Sequence, residues 1–287
     1  MAVVATGFFD GVHIGHRMVV ETLVSEARKR GEESLVLTFW PHPRIVLAQD
    51  AMGLRLLNTP DEKISHLKDL GVDRVVQLEF TLEFSRMGTE QYLREIVKER
   101  FGGSAILLGY DNRIGHDSLT PAQTADIASS LGLDVIRAEK VSAVGIAVSS
   151  TKIRTALNAG DVETASSYLC YDYSLSGTVV HGKKLGRTIG FPTANMEVDE
   201  PLKLVPATGV YLSRVEIEGK SYSGMTNVGD AIETHIFDFD EDIYGHTIKV
   251  SFIRHVRNEM TFGSLQELKT QLHIDEDYCK KLLYLHE

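Results

Sequence analysis

Two sets of residues in this sequence combine the side chains and spacing of phosphate chemistry, one in each half of the chain. Near the start, Thr6-Gly7-Phe8-Phe9-Asp10-Gly11-Val12-His13-Ile14-Gly15-His16 follows the apolar run Val3-Val4-Ala5. Gly7 and Gly11 permit a tight turn and close approach of the backbone to a ligand. His13 and His16 stand three apart where a strand pattern gives way to a helix pattern. The free N–H groups of a helix start favour anions. Two imidazoles beside them can hydrogen-bond phosphate oxygens as charge moves onto a leaving pyrophosphate, with no covalent intermediate. Well past the middle, Gly182-Lys183-Lys184-Leu185-Gly186-Arg187-Thr188-Ile189-Gly190-Phe191-Pro192-Thr193-Ala194-Asn195 holds three glycines and a Lys pair in a loop that can fold over phosphates. A helix cap is the ordinary reading of the first set and a hairpin that of the second, but both runs are longer than those roles require.

The elements needed to position them follow from periodicity. In the first half, apolar runs at 3–6, 35–39, 74–78, 105–108 and 135–138 alternate with helical patterns at 16–30, 61–70, 89–101, 121–131 and 151–159. That alternation predicts an α/β fold, with a mostly parallel sheet covered on both faces and ligands at the carboxyl ends of its strands. After about Tyr168 the character changes. Residues 174–180, 209–217, 221–227, 232–239 and 247–253 read as strands broken by Gly, Asp and Asn turns, which predicts an antiparallel β-barrel. A helical tail over 264–283 offers Leu265, Leu268, Leu272, Leu282 and Leu283 as core contacts. The boundary falls in the helical segment 161–172, giving domains 1–168 and 169–287.

Composition narrows the function. The 287 residues suit two domains, and 43% apolar and 24% charged residues are ordinary for a globular chain. A net charge of −10 argues against a nucleic-acid partner, so a polyanion site has to be built locally. The two cysteines, Cys170 and Cys279, form neither a zinc spacing nor a disulfide framework, so both are expected to be structural and the expected compartment is the cytoplasm. The sequence predicts no signal peptide and no membrane span.

At the residue level the first run resembles the His-x-Gly-His signature of the nucleotidyltransferase superfamily. Ser149-Ser150-Thr151-Lys152-Ile153-Arg154, at a predicted helix start, is similar to that superfamily's partner motif; an N-cap is the alternative for such a run. The segment Leu107-Leu108-Gly109-Tyr110-Asp111-Asn112-Arg113-Ile114-Gly115-His116 resembles the nucleotide- and flavin-contacting segment of prokaryotic FAD synthetases, although Asn112 and Ile114 depart from its aromatic pattern. The glycine-rich run in the second half resembles the riboflavin kinase module, and Ile232-Glu233-Thr234-His235-Ile236-Phe237-Asp238-Phe239 resembles the strand carrying that module's catalytic base. The whole chain is thus similar to the prokaryotic bifunctional riboflavin kinase/FAD synthetases. The resemblance implies riboflavin phosphorylation to FMN with ATP, then adenylylation of FMN to FAD with a second ATP, with Mg²⁺ as the metal. It implies His13, His16 and Glu233 as catalytic residues. For ATP it implies Gly7, Phe8, Asp10, Gly11, Ser149, Ser150, Thr151, Arg154, Gly182, Lys184, Gly186, Thr193 and Asn195, with Thr193 and Asn195 also at the metal. For the flavin it implies Tyr110, Asp111, Asn112 and Arg257. Tyr211 and Phe262 fall in family-like stretches, and Trp40-Pro41-His42-Pro43 reads either as a loop lining the N-terminal cleft or as a structural turn.

Other classes make different expectations. His-Ile-Gly-His is also similar to class I aminoacyl-tRNA synthetases, but a Lys-Met-Ser-Lys-Ser element and a basic composition are lacking. A single-function enzyme would show one half-reaction only, and a flavin-sensing regulator would need a DNA-binding element that the sequence does not offer. One departure from the resembled family stands out. After Thr226-Asn227-Val228-Gly229 the family continues through a longer loop, whereas only Asp230 and Ala231 precede Ile232 here. Asp-Ala lacks the Gly or Asn of a tight hairpin, so a loop is expected to be missing between Val228 and Ile232.

Overall fold

The computed structural model describes residues 1–47, 53–109, 114–138, 148–182 and 185–284. It divides into two compact units, Met1–Ser150 and Thr151–Glu287.

In the first unit, β1 (Ala2–Thr6), β2 (Glu33–Trp40), β3 (Arg74–Glu79), β4 (Gly103–Leu108) and β5 (Asp134–Arg137) form a parallel sheet in the order β3-β2-β1-β4-β5. All five residues of β1 are buried, as a central strand covered on both faces requires. Its side chains alternate between two cores: Val3 and Ala5 pack with Val20, Leu23, Val36 and Leu107, while Ala2 and Val4 pack with Leu35, Leu93, Val97 and Ile106. Strand order reverses direction at β1, between β2 and β4. Such a switch point opens a crevice at the carboxyl ends of the strands, where the histidine run begins.

Helix α1 (Ile14–Arg30) starts directly after that run. Arg28, Lys29 and Arg30 complement the dipole of its last turn, and left-handed Gly31 closes it. A short α2 (Pro43–Val46) follows β2, capped by His42, whose ring nitrogen accepts the Arg44 N–H at 3.1 Å. Helix α3 (Pro60–Asp69) begins with a Thr59–Glu62 capping box and Pro60 at its first position. Helix α4 (Thr89–Gln91) continues over Tyr92–Arg100 with the wider turns of a π-helix, burying Tyr92, Leu93, Ile96 and Val97. Helix α5 (Pro121–Ser130) repeats the capping box with Thr120 and Gln123.

The second unit begins with α6 (Ser150–Asn158, whose first residue closes the first unit) and α7 (Val162–Leu169). Leu157 accepts a backbone hydrogen bond from Ala207 at 2.9 Å, and Glu163 pairs with Arg254 at 2.7 Å, so both helices are tied to the rest of this unit. The barrel comprises β6 (Ser174–Val180), β7 (Ala194–Val198), β8 (Gly209–Ile217), β9 (Lys220–Val228), β10 (Ile232–Ile236) and β11 (Thr247–Arg257), closed in the order β10-β7-β6-β11-β8-β9. Closure leaves no edge strand to template aggregation. The β8–β9 hairpin turns at Glu218 and Gly219, both with positive φ, as a primed turn demands. Inside, the hydroxyls of Ser213, Thr226 and Thr234 form a cross-strand chain at 2.8 and 2.9 Å, which satisfies three buried polar groups. A one-turn α8 (Leu185–Thr188) precedes β7, and α9 (Leu265–Tyr284) closes the chain.

Three details differ from the sequence reading. β7 was not anticipated: five residues with Asn, Glu and a Met between them carry little strand signal. Leu265 is exposed, not a core contact, while Leu282 packs as expected, with Cys279, in a core with Phe191, Val210, Leu212, Met225 and Phe237. No loop is missing between Val228 and Ile232, because the chain is continuous there. Val228 pairs directly with Ile232, and Gly229 N–H donates to Ala231 O at 3.1 Å, closing a three-residue hairpin.

Candidate functional site

In the first unit, His13 and His16 lie one helical turn apart at the start of α1, with rings stacked 15° from parallel and centroids 3.8 Å apart. Burial pushes the His13 imidazole down to about 4. Burial, then repulsion from His13 and from Lys63, holds His16 well below the ordinary histidine range. Both rings are therefore neutral at pH 7, and each can donate one hydrogen bond without bringing formal charge. The Nδ1 atoms of both are buried without a hydrogen-bond partner. Buried polar atoms are normally paired, so two orphans on adjacent stacked rings mark a place prepared for a ligand.

The turn after β1 is fixed by its own polar groups. Phe9 and Val12 have positive φ, as does Gly11. Asp10 is buried, and its Oδ1 accepts the Leu57 N–H at 3.0 Å and the Asn58 N–H at 3.3 Å. Ser150 Oγ donates to the Asp10 carbonyl at 3.0 Å, which ties this serine to the turn after β1 within the first unit. Thr151 and Arg154 follow on α6, in the second unit, and Ser149 precedes it.

Gly7 and Phe8 line a cavity of about 600 Å³ at the carboxyl end of the sheet, with Thr6, Phe39, Pro43, Phe80, Phe84, Met87, Tyr92, Ile114 and His116. Phe39, Phe80, Phe84 and Tyr92 meet edge to face or tilted at 5.6 to 6.1 Å. The Thr6 and Tyr92 hydroxyls are bonded at 2.8 Å. This aromatic, concave wall has the character of a site for a flat heterocycle. Phe80 and Phe84 were missed by sequence reading, and their signal was the aromatic pair in Phe80-Thr81-Leu82-Glu83-Phe84. The 40–43 segment contributes Pro43 to the wall, and the His42 ring meets Phe8 edge-on at 4.2 Å. Tyr110, Asp111 and Asn112 lie outside the described residues.

In the second unit the site is a lateral row. The barrel register pairs Glu233 with Asn195 on one side and with Asn227 on the other, across β7, β10 and β9. Directly opposed residues share a face and stand about 5 Å apart at Cβ. Glu233 and Asn227 line a cavity of about 250 Å³ with Phe191, Thr193, Met225, His235, Arg257, Phe262, Leu268 and Leu272. Thr193 also lines a second cavity of about 290 Å³, with Val179, Arg187, Pro192, Ile236, Phe239, Tyr244 and the acidic stretch Asp240–Asp242. A third space of about 20 Å³ lies among Gly182, Arg187, Pro192, Thr193, Asn195 and Tyr244. Thr193 touches all three. A side chain at Gly182 would overlap the Asn195 amide, and one at Gly186 would overlap the Phe191 carbonyl, so both glycines allow approaches that no other residue would. Lys184 lies outside the described residues.

Among the described residues no group of three or more His, Cys, Asp or Glu side chains is arranged to hold a metal. The small space beside Thr193 and Asn195 offers a hydroxyl and an amide oxygen instead. Such sparse oxygen donors fit a hard divalent cation that takes its remaining ligands from phosphate and water.

Arg257 lines the 250 Å³ cavity, but its guanidinium is engaged elsewhere. Nε donates to both Asp275 oxygens at 3.1 and 2.9 Å, Nη2 lies 2.8 Å from Oδ2, and Nη1 donates to the Asn258 carbonyl at 3.0 Å. Asp275 also accepts from Gln271 at 2.8 Å. The pair pins α9 to the end of β11. Tyr211 is a core residue, its hydroxyl donating to Ala207 O at 2.5 Å. Cys170 and Cys279 are both free thiols, exposed and buried respectively.

A family model for FAD synthetase matches residues 1–152, and one for riboflavin kinase matches residues 169–283. A bifunctional riboflavin kinase/FMN adenylyltransferase of Bacillus subtilis is 34% identical over 96% of this chain and 90% of its own length. That of Escherichia coli gives the same identity and coverage. A crystal structure from Streptococcus pneumoniae, described as a macrolide-efflux protein, superposes with a TM-score of 0.89 at 32% identity, over 97% of this chain and 94% of its own. Among the described residues no helix is long and apolar enough to cross a membrane. Two modules, each with its own prepared cavity, and relatives aligned through both, place the chain in one family: it belongs to the bifunctional riboflavin kinase/FMN adenylyltransferases.

Proposed function

We propose that residues 169–287 convert riboflavin and ATP to FMN and ADP, and that residues 1–168 convert FMN and a second ATP to FAD and pyrophosphate. The observation that carries this reading is the barrel row: a carboxylate, Glu233, held by register between two amides at the wall of an apolar cavity, with Thr193 between that cavity and a second one. In the 250 Å³ cavity Glu233 takes the proton of the ribityl 5′-hydroxyl as its oxygen attacks the γ-phosphorus, and ADP leaves. The nucleotide occupies the 290 Å³ cavity, and the family resemblance assigns Gly182, Lys184 and Gly186 to its phosphates. Thr193 and Asn195 would hold Mg²⁺, which would neutralise phosphate charge. Arg257 acts on the flavin cavity by holding α9 in place.

In the first unit the flavin lies against Phe39, Phe80, Phe84 and Tyr92, and the family resemblance assigns Tyr110, Asp111 and Asn112 to flavin binding. Gly7, Phe8, Asp10 and Gly11 form the ATP turn, with Ser149, Ser150, Thr151 and Arg154 at the phosphates. His13 and His16 hydrogen-bond the α-phosphate and the departing pyrophosphate. The FMN phosphate is already ionised at pH 7, so attack on the α-phosphorus needs positioning and charge stabilisation rather than a base. A reducing cytoplasm suits the two free cysteines.

The test is mass spectrometry of products from riboflavin plus Mg-ATP. FMN should appear first and FAD after it. FMN alone would mark a kinase, FAD from supplied FMN alone an adenylyltransferase, and neither a flavin-binding protein without catalysis.

A further inference from the structure

Lys63 is a buried ammonium that none of these roles uses. It is 2% exposed, on a helix whose start is held by the Thr59–Glu62 capping box. Lysine is almost never so buried unless its charge is met. Here Nζ lies 4.0 Å from the centroid of the Phe8 ring, and Asp10 offsets part of the burial that pushes the ammonium down to about 8. The same charge acts on His16. Phe8, Asp10 and His16 all belong to the turn after β1 and the helix it starts. Asp10 in addition binds the Leu57 and Asn58 amides just before α3. The two histidines are neutral, so they bring donors but no formal charge to a triphosphate.

We propose that Lys63 is a positioning residue of the adenylyl-transfer site: it holds the Phe8–Asp10 turn against α3 and keeps a positive charge beside that turn. This rests on the reading of His13 and His16 as adenylyl-transfer groups. The competing role is packing alone, with the lysine stem filling space. Methionine separates the two, because it has similar length and no charge, and replacing a buried charge by an apolar group is often neutral or stabilising.

The experiment uses the full chain and compares wild type, K63M and K63R. FAD formation from FMN is measured with ATP and FMN varied separately, and FMN formation from riboflavin is measured in the same preparation. In K63M, kcat/KM for ATP should fall by roughly 10- to 100-fold, KM for ATP should rise more than KM for FMN, and riboflavin phosphorylation should hold. K63R should regain part of the loss, and the unfolding temperature of the first unit should not fall in K63M. Adenylylation by K63M within about twofold of wild type overturns the proposal, because packing would then suffice. Should K63M lose the first unit's fold, K63R decides, and a loss in K63R as large as that of a charge deletion overturns it. Wild-type chain that makes FMN but no FAD overturns the parent reading itself, a result separate from any difference among the variants.

Discussion

The two candidate sites, one for each activity, are of opposite kinds of construction. In the first unit the chemistry is local. One strand end, one turn with three positive-φ residues and the first turn of α1 bring Gly7, Asp10, His13 and His16 together within ten residues of chain. In the second unit it is non-local. Asn195, Asn227 and Glu233 come from three strands, and only the barrel's register aligns them. The charges differ too. Neutral imidazoles near a buried lysine line one candidate site, whereas a carboxylate, hydroxyls and amides line the other. A local site fails by side-chain loss; a register-built site also fails by anything that shifts a strand.

The sharpest break in this comparison is expected from Glu233→Gln. The substitution keeps the size of the side chain and removes the proposed base, so riboflavin phosphorylation should fall by roughly 10²–10⁴ while adenylylation of supplied FMN persists. A near-wild-type kinase rate, measured by FMN release, would assign the base elsewhere. His16→Ala is the mirror experiment. FAD formation from FMN should drop on the order of 10²–10³, with the kinase untouched. Parallel loss of both activities in folded protein would show that the sites are not independent.

Asp275→Asn probes construction rather than chemistry. It strips the charge that meets Arg257 and loosens α9, which brings Leu268 and Leu272 to the cavity beside Glu233. KM for riboflavin should rise by roughly tenfold, with a smaller change in KM for ATP. The buried pair's loss should lower the second unit's stability by about 3 kcal/mol at most. Equal changes in both KM values would show that the pair serves the whole barrel and not this cavity.

The smallest effect belongs to pH. The His13 pKa is lowered from 6.5 to about 4 by burial, so between those values the unfolded chain binds the proton and the folded one does not. The first unit's stability should therefore be full above pH 6.5 and decline as pH falls toward 4. At pH 5 the loss from His13 alone is about 2 kcal/mol, and His16 adds in the same direction. Denaturant midpoints of wild type and His13→Asn between pH 7 and 5 provide the check, and a wild-type midpoint that stays flat would refute the burial of a neutral ring.

This contrast also explains what the sequence made legible. The parallel sheet was readable because buried strands such as β1 are unbroken apolar runs and their helices carry caps, Thr59 and Thr120 among them. The His13–His16 pair was readable because spacing along a helix is a property of the local chain. In the barrel, Glu233 was found through a motif, but its neighbour on β7 was seen only as part of a loop, since Ala194–Val198 has no alternation strong enough to announce a strand. Asn227 carries no sequence signal for the same reason: partners across a barrel are set by register, which no single segment contains. The aromatic wall of Phe80 and Phe84 depends on a fold around the sheet's end, and Arg257 on a carboxylate 18 residues further along, Asp275.

The three-residue β9–β10 connection has an evolutionary consequence. A long loop absorbs insertions and deletions, because its slack separates chain length from strand alignment. Here Val228 and Ile232 are already paired, so a lost residue must be taken up by sliding β10. A slide of one position turns every side chain to the other face, sending Glu233 into the barrel and bringing Ile232 or Thr234 into its place. The barrel could survive such a slip, with the kinase silenced in a folded protein. Unlike the longer loop of the resembled family, this hairpin has no slack left, and a further deletion here is a short genetic route from a two-step enzyme to a one-step one.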